Sequence, residues 1–481
     1  WQVWLPPLAL LLATRVLIRP WSGGRITERW PLTGLAGVGA GILVWAGMNF
    51  GYRAWEIPDV GVPLNRDAFK AGIPSRDDNL AGKKIEEALA EMESPEGKFA
   101  VWSKKLADAI PMKPGVLEVP LGDGQMPGLR HLATCRKMLG QLMQAVAKER
   151  QHETAVDYLA QALALSRTLR NKAAIVSYAA GVETEQLALD HLETWLASKK
   201  PPPELLKRVL TELDRHAAAT PPAVDCLRTE CYRAGGVLDV PVVWSFNAAP
   251  GREQWLTGSI ALALESPWET ERKTRLWQAV WAGHFRALQT PHWQLPDPAL
   301  EVPSDDPITR NIMRGWLPAA NGPGASISIA QLARLLDTSW LADDRLFADV
   351  AKLRSAVNRS RWRVAASRQV VALRLYQLRE GKPAQKLDDL VPKDLSELPV
   401  DPYSGQPFHY RISQGEKLEA IQPGGFPGRN PIVVPAGHAI LWSIGPDRND
   451  NGGRKDGRWL PSDDDPRWSR DGFDLVTVIP Q

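Results

Sequence analysis

The sequence predicts a mainly α-helical protein with two transmembrane helices, an irregular helical bundle or solenoid as its body, and a small α+β C-terminal domain with an antiparallel sheet. Three patterns lead to this fold class. Two apolar runs open the chain, apolar residues recur at three- and four-residue spacing through the middle, and short alternating runs close it. Because 44% of the 481 residues are hydrophobic and 23% are charged, the chain has the composition of a folded protein.

Changes in composition divide the chain into five predicted segments. They are a two-helix membrane anchor at 1–52, a connector with one helix at 53–127, a helical-repeat-like domain at 128–216, a helical domain with long loops at 217–345, and an α+β domain at 346–481.

The two apolar runs are Val3–Ile18 and Leu32–Phe50. The second has no charged residue and nearly matches a hydrocarbon core about 30 Å thick, at about 1.5 Å rise per residue. The first is interrupted by Arg15, which can reach the polar interface if the run is a membrane span. A cleavable signal and a soluble core helix are the alternatives for this first run.

Arginines cluster around the loop between the two runs, at Arg15, Arg19, Arg25 and Arg29. Positively charged loops stay in the cytoplasm, so the rest of the chain is expected outside it. Pairs of glycines four residues apart, such as Gly37 and Gly41, would form a smooth stripe for close packing against a neighbouring helix. Lipid bilayer and other membrane-complex subunits are therefore the expected partners.

Nucleic acid is not an expected partner, because the formal net charge is only +3. Tryptophan is unusually frequent, with 20 residues against 9 Phe and 7 Tyr. Its apolar bulk and single N–H donor favour protein interfaces and membrane boundaries.

Part of the 128–216 segment resembles a tetratricopeptide helix pair. A shift of 34 residues finds only a poor echo of this pair, which favours an irregular bundle or solenoid over a regular array. The residues that carry the resemblance are Leu139, Leu142 and Val146 on one helix, and Ala155, Leu159 and Ala162 on the next.

The sequence contains no catalytic signature. It lacks HExxH, GxSxG and GxxxxGKS, and its eight histidines are dispersed. Neither Glu149 with His152 nor Glu212 with His216 has the further ligands that a di-iron site needs, so satisfied surface or core histidines are expected. No catalytic residue is predicted.

Three cysteines are too few for a disulfide scaffold. Cys226 and Cys231 are five apart on a predicted helix, a spacing that does not bring their side chains together. Both are expected to be free thiols.

Six arginines lie between Arg359 and Arg379. A nucleic-acid interface would require this face to be in the cytoplasm, against the predicted topology. A solvated face, or contact with acidic lipid or an acidic partner, is the preferred interpretation.

The last part of the chain contains an LDDLVP turn after a helix end, then LPVDPYSGQPFHYR, and then a Ser443–Asp447 turn followed by Gly452 and Gly453. In this order of motifs it resembles the globular domain of type II secretion major pseudopilins. The resemblance implies a helix carrying a small antiparallel sheet. The whole chain also resembles large bacterial membrane proteins with such a tail, which implies the bacterial inner membrane with the bulk of the chain in the periplasm.

A calcium site is predicted in the segment DRNDNGG, where oxygen-bearing side chains alternate before two glycines. A calcium helix-loop-helix is excluded, because the twelfth position is Arg458 rather than Glu. Major pseudopilins bind calcium in the equivalent loop, and this resemblance implies as ligands Asp447, Asn449, Asn451 and the late Asp471 or Asp474. The alternative is an Asx turn without an ion.

These observations predict a membrane-anchored, extracytoplasmic scaffold or accessory subunit of a membrane complex, without enzymatic activity. One alternative is an extracytoplasmic, hydrolase-like enzyme with a site between the helical body and the tail. A component associated with a secretion system is the other.

Overall fold

The computed structural model describes most of the helical body and the C-terminal region. The described residues are 37, 41, 61, 64–75, 77–93, 99–117, 140, 151–198, 201–238, 278, 281–282, 284–286, 288–294, 344–418, 421–422, 426–427, 432–446, 448–450, 452–453 and 475–479. The chain divides into two compact units, and nearly all described residues belong to the one that comprises 64–236, 284–319 and 343–481. In the other unit, Gly37 and Gly41 are helical.

The predicted transmembrane helices are the part of the fold class that is wrong. Within the described ranges no helix is long and apolar enough to cross a membrane. Polarity rather than length is limiting, because the longest described helix has 37 residues but carries many arginines. The run Val3–Ile18 lies outside the described residues, as does Leu32–Phe50 apart from its two helical glycines. The corrected class is a mainly helical protein with a small antiparallel sheet.

Eight α-helices have defined bounds in the described part of the chain. They are α1 (Arg66–Ala71), α2 (Leu80–Glu93), α3 (Phe99–Ala109), α4 (His152–Arg170), α5 (Ile175–Ser198), α6 (Pro203–Ala219), α7 (Ala223–Leu238) and α8 (Asp344–Glu380).

The centre of the helical body is a hairpin of α4 and α5, joined by the short connection 171–174. Helix α4 is buried along most of its length, because α3, α5 and α6 all pack against it. Helix α6 begins at Pro203, whose fixed φ suits a first helical turn. Its buried residues Leu206, Val209, Leu210 and Leu213 form the core stripe that periodicity predicts.

Helix α8 is the longest described element, about 55 Å at 1.5 Å per residue. It packs on α5 and α6 on one side and on the C-terminal sheet on the other. Consecutive residues from Gln369 to Leu375 are therefore all buried. Gly381 ends the helix with φ of 70°, and its N–H bonds to the carbonyl of Gln377 at 2.9 Å.

Seven short strands follow: β1 (His409–Ile412), β2 (Lys417–Leu418), β3 (Ile421–Gln422), β4 (Phe426–Pro427), β5 (Ile432–Val433), β6 (Ala439–Ser443) and β7 (Leu475–Ile479). Strands β1, β6 and β7 form the antiparallel C-terminal sheet in the order β1-β6-β7, and β2-β5 and β3-β4 form two small ribbons. All five residues of β6 are buried, because this strand is central and α8 also packs against it.

One hydrophobic core runs without interruption from the helical body into the C-terminal region. It contains Leu163 of α4, Leu189 of α5, Val371 of α8 and Leu441 of β6. The sheet and the helical body are consequently stabilised by the same apolar contacts, and Tyr410 adds a hydrogen bond from its hydroxyl to the carbonyl of Ala384 at 2.7 Å.

Candidate functional site

The predicted calcium ligands lie mostly outside the described residues. Asp447, Asn451, Asp471 and Asp474 are among those not described, and Asn449 is exposed. Across the described ranges, no group of three or more His, Cys, Asp or Glu side chains could hold a metal ion. The calcium site therefore stays a prediction.

The described part of the same loop is held to the sheet by Asp450. Its Oδ1 accepts hydrogen bonds from Trp442 Nε1 at 3.0 Å and from the N–H of Gly452 at 2.9 Å. The second bond closes an Asx turn, the arrangement proposed as the alternative to a metal site. Gly452 and Gly453 then adopt φ of 70° and 78°, which explains the two glycines without an ion.

Two side chains of strand β1, His409 and Arg411, contact the ring of Trp442, which donates to Asp450. His409 stacks on the Trp442 ring with centroids 5.2 Å apart, and the Arg411 guanidinium lies 5.1 Å from the same ring. Burial favours the neutral form of Asp450, but the bonds from Trp442 and Gly452 and the charges of His409 and Arg411 lower its carboxyl pKa below the ordinary value. The loop is thus fastened by a charged carboxylate.

A second cluster of charged residues is buried inside the helical body. The side chains of Arg170, Glu185 and His216 have no exposed surface. Arg170 Nη2 lies 2.9 Å from Glu185 Oε2, and His216 Nε2 lies 2.5 Å from the same oxygen. Arg170 also donates to Ser360 Oγ of α8 at 2.9 Å. These contacts tie α4, α5, α6 and α8 together.

The hydrogen bonds fix the tautomer of His216. Arg167 Nη1 lies 3.3 Å from His216 Nδ1, and a guanidinium can only donate. Nδ1 is therefore the acceptor, and Nε2 carries the proton that is donated to Glu185. Burial and the charges of Arg170 and Arg167 lower the pKa of His216, and together they outweigh Glu185, which raises it. A neutral histidine is consistent with both results.

Glu185 is the charged partner of this histidine. Burial favours its neutral form, but Arg170 and His216 lower its pKa below the ordinary value. The sequence pairing of Glu212 with His216 does not form, because Glu212 binds Arg215 at 2.8 Å instead. His216 is the satisfied core histidine that was expected, although its partner lies 31 residues away. No periodic pattern marks that partner.

The arginine-rich part of α8 faces carboxylates of the same chain. Arg363 pairs with Asp190 and Glu193 of α5, the latter at 2.8 Å, and Arg368 pairs with Asp214 of α6 at 2.6 Å. At least part of this basic face thus has an intramolecular acidic partner. The predicted solvated or lipid-facing role does not describe these two arginines.

Asp401, Ser443 and His292 are the residue types of a Ser-His-Asp triad, which would support the hydrolase alternative. Ser443 Oγ donates directly to Asp401 Oδ1 at 2.8 Å, whereas His292 Nε2 donates to the carbonyl of Pro446 at 3.0 Å. In a catalytic triad the histidine stands between the serine and the acid. This cluster therefore gives the hydrolase alternative no support.

Cys226 and Cys231 are buried on α7 and form no disulfide with each other, as predicted from their spacing. Comparisons with protein-family models, curated proteins and solved structures found no match to this chain.

Proposed function

We propose that this protein is a non-enzymatic scaffold or accessory subunit of a protein complex, in which the helical body presents the C-terminal sheet to partners. The observation that carries the proposal is the shared helix α8, which packs on α5 and α6 and also on β6 and β7. A sheet that shares its core with the body is held in a fixed position, which favours specific docking because less freedom is lost on binding.

Ion pairs along α8 add to this fixed position. Arg363 and Arg368 are 12% and 20% exposed in their side chains, and both bind carboxylates of the body. Partly buried charge-assisted pairs are stronger and more directional than surface pairs. They favour one orientation of the helix on the body over sliding along it.

The proposal is tested by purifying the full chain gently from its native cells and identifying the chains that accompany it by mass spectrometry. Reciprocal purification of each candidate should recover this protein. A double variant, Arg363→Glu with Arg368→Glu, places like charges against α5 and α6 and should release the partner. Arg361→Glu is the matched control, because Arg361 is exposed on the same helix.

A lone monomer under every mild condition would contradict the scaffold proposal. Equal recovery of the partner with the double variant would also count against the role of α8, provided that circular dichroism shows unchanged helix content. An unrelated effect of added negative charge would appear in Arg361→Glu as well.

A secretion-associated role is the second candidate. The pseudopilin resemblance implies a helix that carries a small antiparallel sheet, and α8 with the β1-β6-β7 sheet is consistent with that arrangement. Under this candidate, pilin-like chains should be prominent among the co-purifying proteins. The extracytoplasmic location stays a prediction.

A further inference from the structure

His216 joins the C-terminal half of helix α6 to both helices of the α4–α5 hairpin. Its ring is fully buried, and each ring nitrogen has a hydrogen-bond partner. Nε2 donates to Glu185 Oε2 of α5 at 2.5 Å, and Nδ1 accepts from Arg167 Nη1 of α4 at 3.3 Å. The second bond requires a neutral ring, because protonated histidine donates from both nitrogens and a guanidinium cannot accept.

The charges that face His216 oppose a positive charge on its ring. Helix α4 contributes Arg167 and Arg170, and helix α5 contributes Glu185, which already pairs with Arg170 at 2.9 Å. The described contact from α8 is the uncharged Ser360, which accepts from Arg170 at 2.9 Å. A proton on His216 would place three buried cations around one carboxylate. Such an excess of charge is costly away from water.

The other carboxylates of this part of α6 are engaged by arginines. Glu212, one turn before His216, binds Arg215 at 2.8 Å, and Asp214 pairs with Arg368 of α8 at 2.6 Å. Glu185 is therefore the acid that binds the ring of His216.

Helix α6 has one side in the solvent, which allows it to open separately from the rest of the body. Its stripe from Leu206 to Leu213 is buried, whereas Lys207, Arg208 and Thr211 are exposed. Helix α6 packs on α4 and α8, but neither the contact between α4 and α5 nor that between α8 and the sheet involves it. Local opening of such a helix costs less than global unfolding.

We propose that His216 is an acid-sensitive switch, in which a proton taken from the solvent at Nδ1 breaks the bond with Arg167 and releases the C-terminal half of α6 from α4 and α8. The α4–α5 hairpin and the contact of α8 with the sheet stay folded. In the open state the charged ring is solvated and lies away from Arg167 and Arg170. The switch is a property of this chain alone and goes beyond the proposed scaffold function, because it requires no partner.

The direction of the pH dependence follows from the two states of His216. Burial lowers its pKa in the closed state, whereas the solvated ring of the open state has the ordinary value of about 6.5. The open state therefore binds more protons and is favoured progressively as pH falls below 6.5. Between pH 7.5 and pH 5.0 the opening equilibrium constant should rise by up to about thirtyfold. Glu185 stays ionised in this range, because Arg170 and His216 hold its pKa below the ordinary value despite burial.

The switch is tested by hydrogen exchange of the full chain at pH 7.5 and 5.0, followed by mass spectrometry and corrected for the intrinsic pH dependence of exchange. Peptides from the C-terminal half of α6 should lose protection by up to about thirtyfold at pH 5.0, because a short helix without its packing partners does not stay folded. Peptides from α5 and from the C-terminal half of α8 should keep their protection. Equal protection of α6 at both pH values, or an equal loss in α5, α6 and α8, would overturn the proposal.

His216→Gln removes the titrating group and keeps the two kinds of hydrogen bond, because an amide can donate to Glu185 and accept from Arg167. This variant should keep α6 protected at pH 5.0. His191→Gln is the matched control, because His191 is a partly exposed histidine of α5. It should respond to acid as the parent protein does.

Two variants at Arg167 separate the switch from a merely structural role of His216. Arg167→Lys keeps a cation that can only donate, and should keep the acid response. Arg167→Met removes both the charge and the donor, so that Nδ1 can be protonated in the closed state, and should reduce the response. A response that persists in His216→Gln, or that is as large in Arg167→Met as in the parent protein, would overturn the proposal.

Discussion

Replacing Glu185 with leucine tests whether the buried ion network holds the helical body together. Arg170 and Glu185 have no exposed side-chain surface and lie 2.9 Å apart. The leucine removes the only carboxylate that pairs with Arg170 in the described network, and it removes the acceptor of His216 Nε2. Breaking a buried pair in this way costs about 3–5 kcal/mol, because the remaining charge stays buried without its partner.

That loss is large against a total stability of about 5–15 kcal/mol for a typical domain. Glu185→Gln should cost less than Glu185→Leu, because the amide oxygen can still accept from Arg170 and His216. The double variant Arg170→Met with Glu185→Leu removes both charges, and should be more stable than the sum of the two single changes predicts. A coupling of at least about 1 kcal/mol is expected.

The assay is urea unfolding of the full chain, followed by circular dichroism. Glu204→Gln is the control, because Glu204 pairs with Lys207 at 3.0 Å and both side chains are exposed. An ion pair of this kind contributes about 0–1 kcal/mol. Two results would contradict the conclusion that Arg170 and Glu185 stabilise the body as a coupled pair. One is a loss of unfolding free energy below about 1 kcal/mol in Glu185→Leu, and the other is strict additivity in the double variant.

Three further predictions concern pH, calcium and a close backbone contact. Burial lowers the pKa of His216 in the folded state, so its contribution to stability should be complete above its ordinary value of 6.5 and decline as pH falls below it. Urea midpoints measured at several pH values should show a smaller decline in His216→Gln than in the parent. The remaining decline is expected from His191, His284 and His292, whose pKa values burial also lowers. Calcium should raise the Tm of the full chain and Asp447→Ala should remove the shift, whereas indifference to calcium and chelator supports the Asx turn alone. Gly405→Ala should cost about 1–2 kcal/mol and change tryptophan fluorescence, because Gly405 has φ of +72° and an added Cβ would lie 2.7 Å from the Trp293 ring. Gly381→Ala, at φ of +70° in open space, should show the loss without the fluorescence change.

Local patterns were sufficient for the helices of the body. Apolar spacing and proline breaks predict α4, α5 and α6 near their observed bounds, because each buries a stripe or a whole surface against neighbours. Phe408, Tyr410 and Ile412 stand at alternate positions, as do Ile440, Trp442 and Ile444. This alternation predicts half-buried strands and gives the positions of β1 and β6. It misses the complete burial of β6, which depends on which strands lie on either side.

The ion network could not be predicted, because its members are joined only by the tertiary fold. Glu212 was the natural candidate for a partner of His216, since residues four apart share a helix face. The structure directs Glu212 to Arg215 and brings in Glu185 from the neighbouring helix. Spacing within one helix cannot reveal a contact between two helices.

The same limit explains the arginines of α8. A dense run of positive charge resembles a solvated face when the sequence is considered alone. The carboxylates that neutralise Arg363 and Arg368 lie more than 150 residues earlier in the chain, on two different helices. The sequence nevertheless indicates that α8 is covered on more than one side. Apolar residues stand next to each other between the arginines, as at Val370 and Val371, and a helix with one solvent-exposed face does not need adjacent apolar residues.

Helix α8 connects these observations. Val370 and Val371 are both buried because α5 and α6 cover one side of the helix and the sheet lies on the other. A fragment that begins near residue 346 would keep the sheet but expose the surface that α8 buries against the body, together with Arg363 and Arg368 without their carboxylates. Stability and binding measurements on the C-terminal region therefore require the full chain. A change in α5 or α6, such as Asp214→Asn, is expected to affect the sheet through α8, on which both pack.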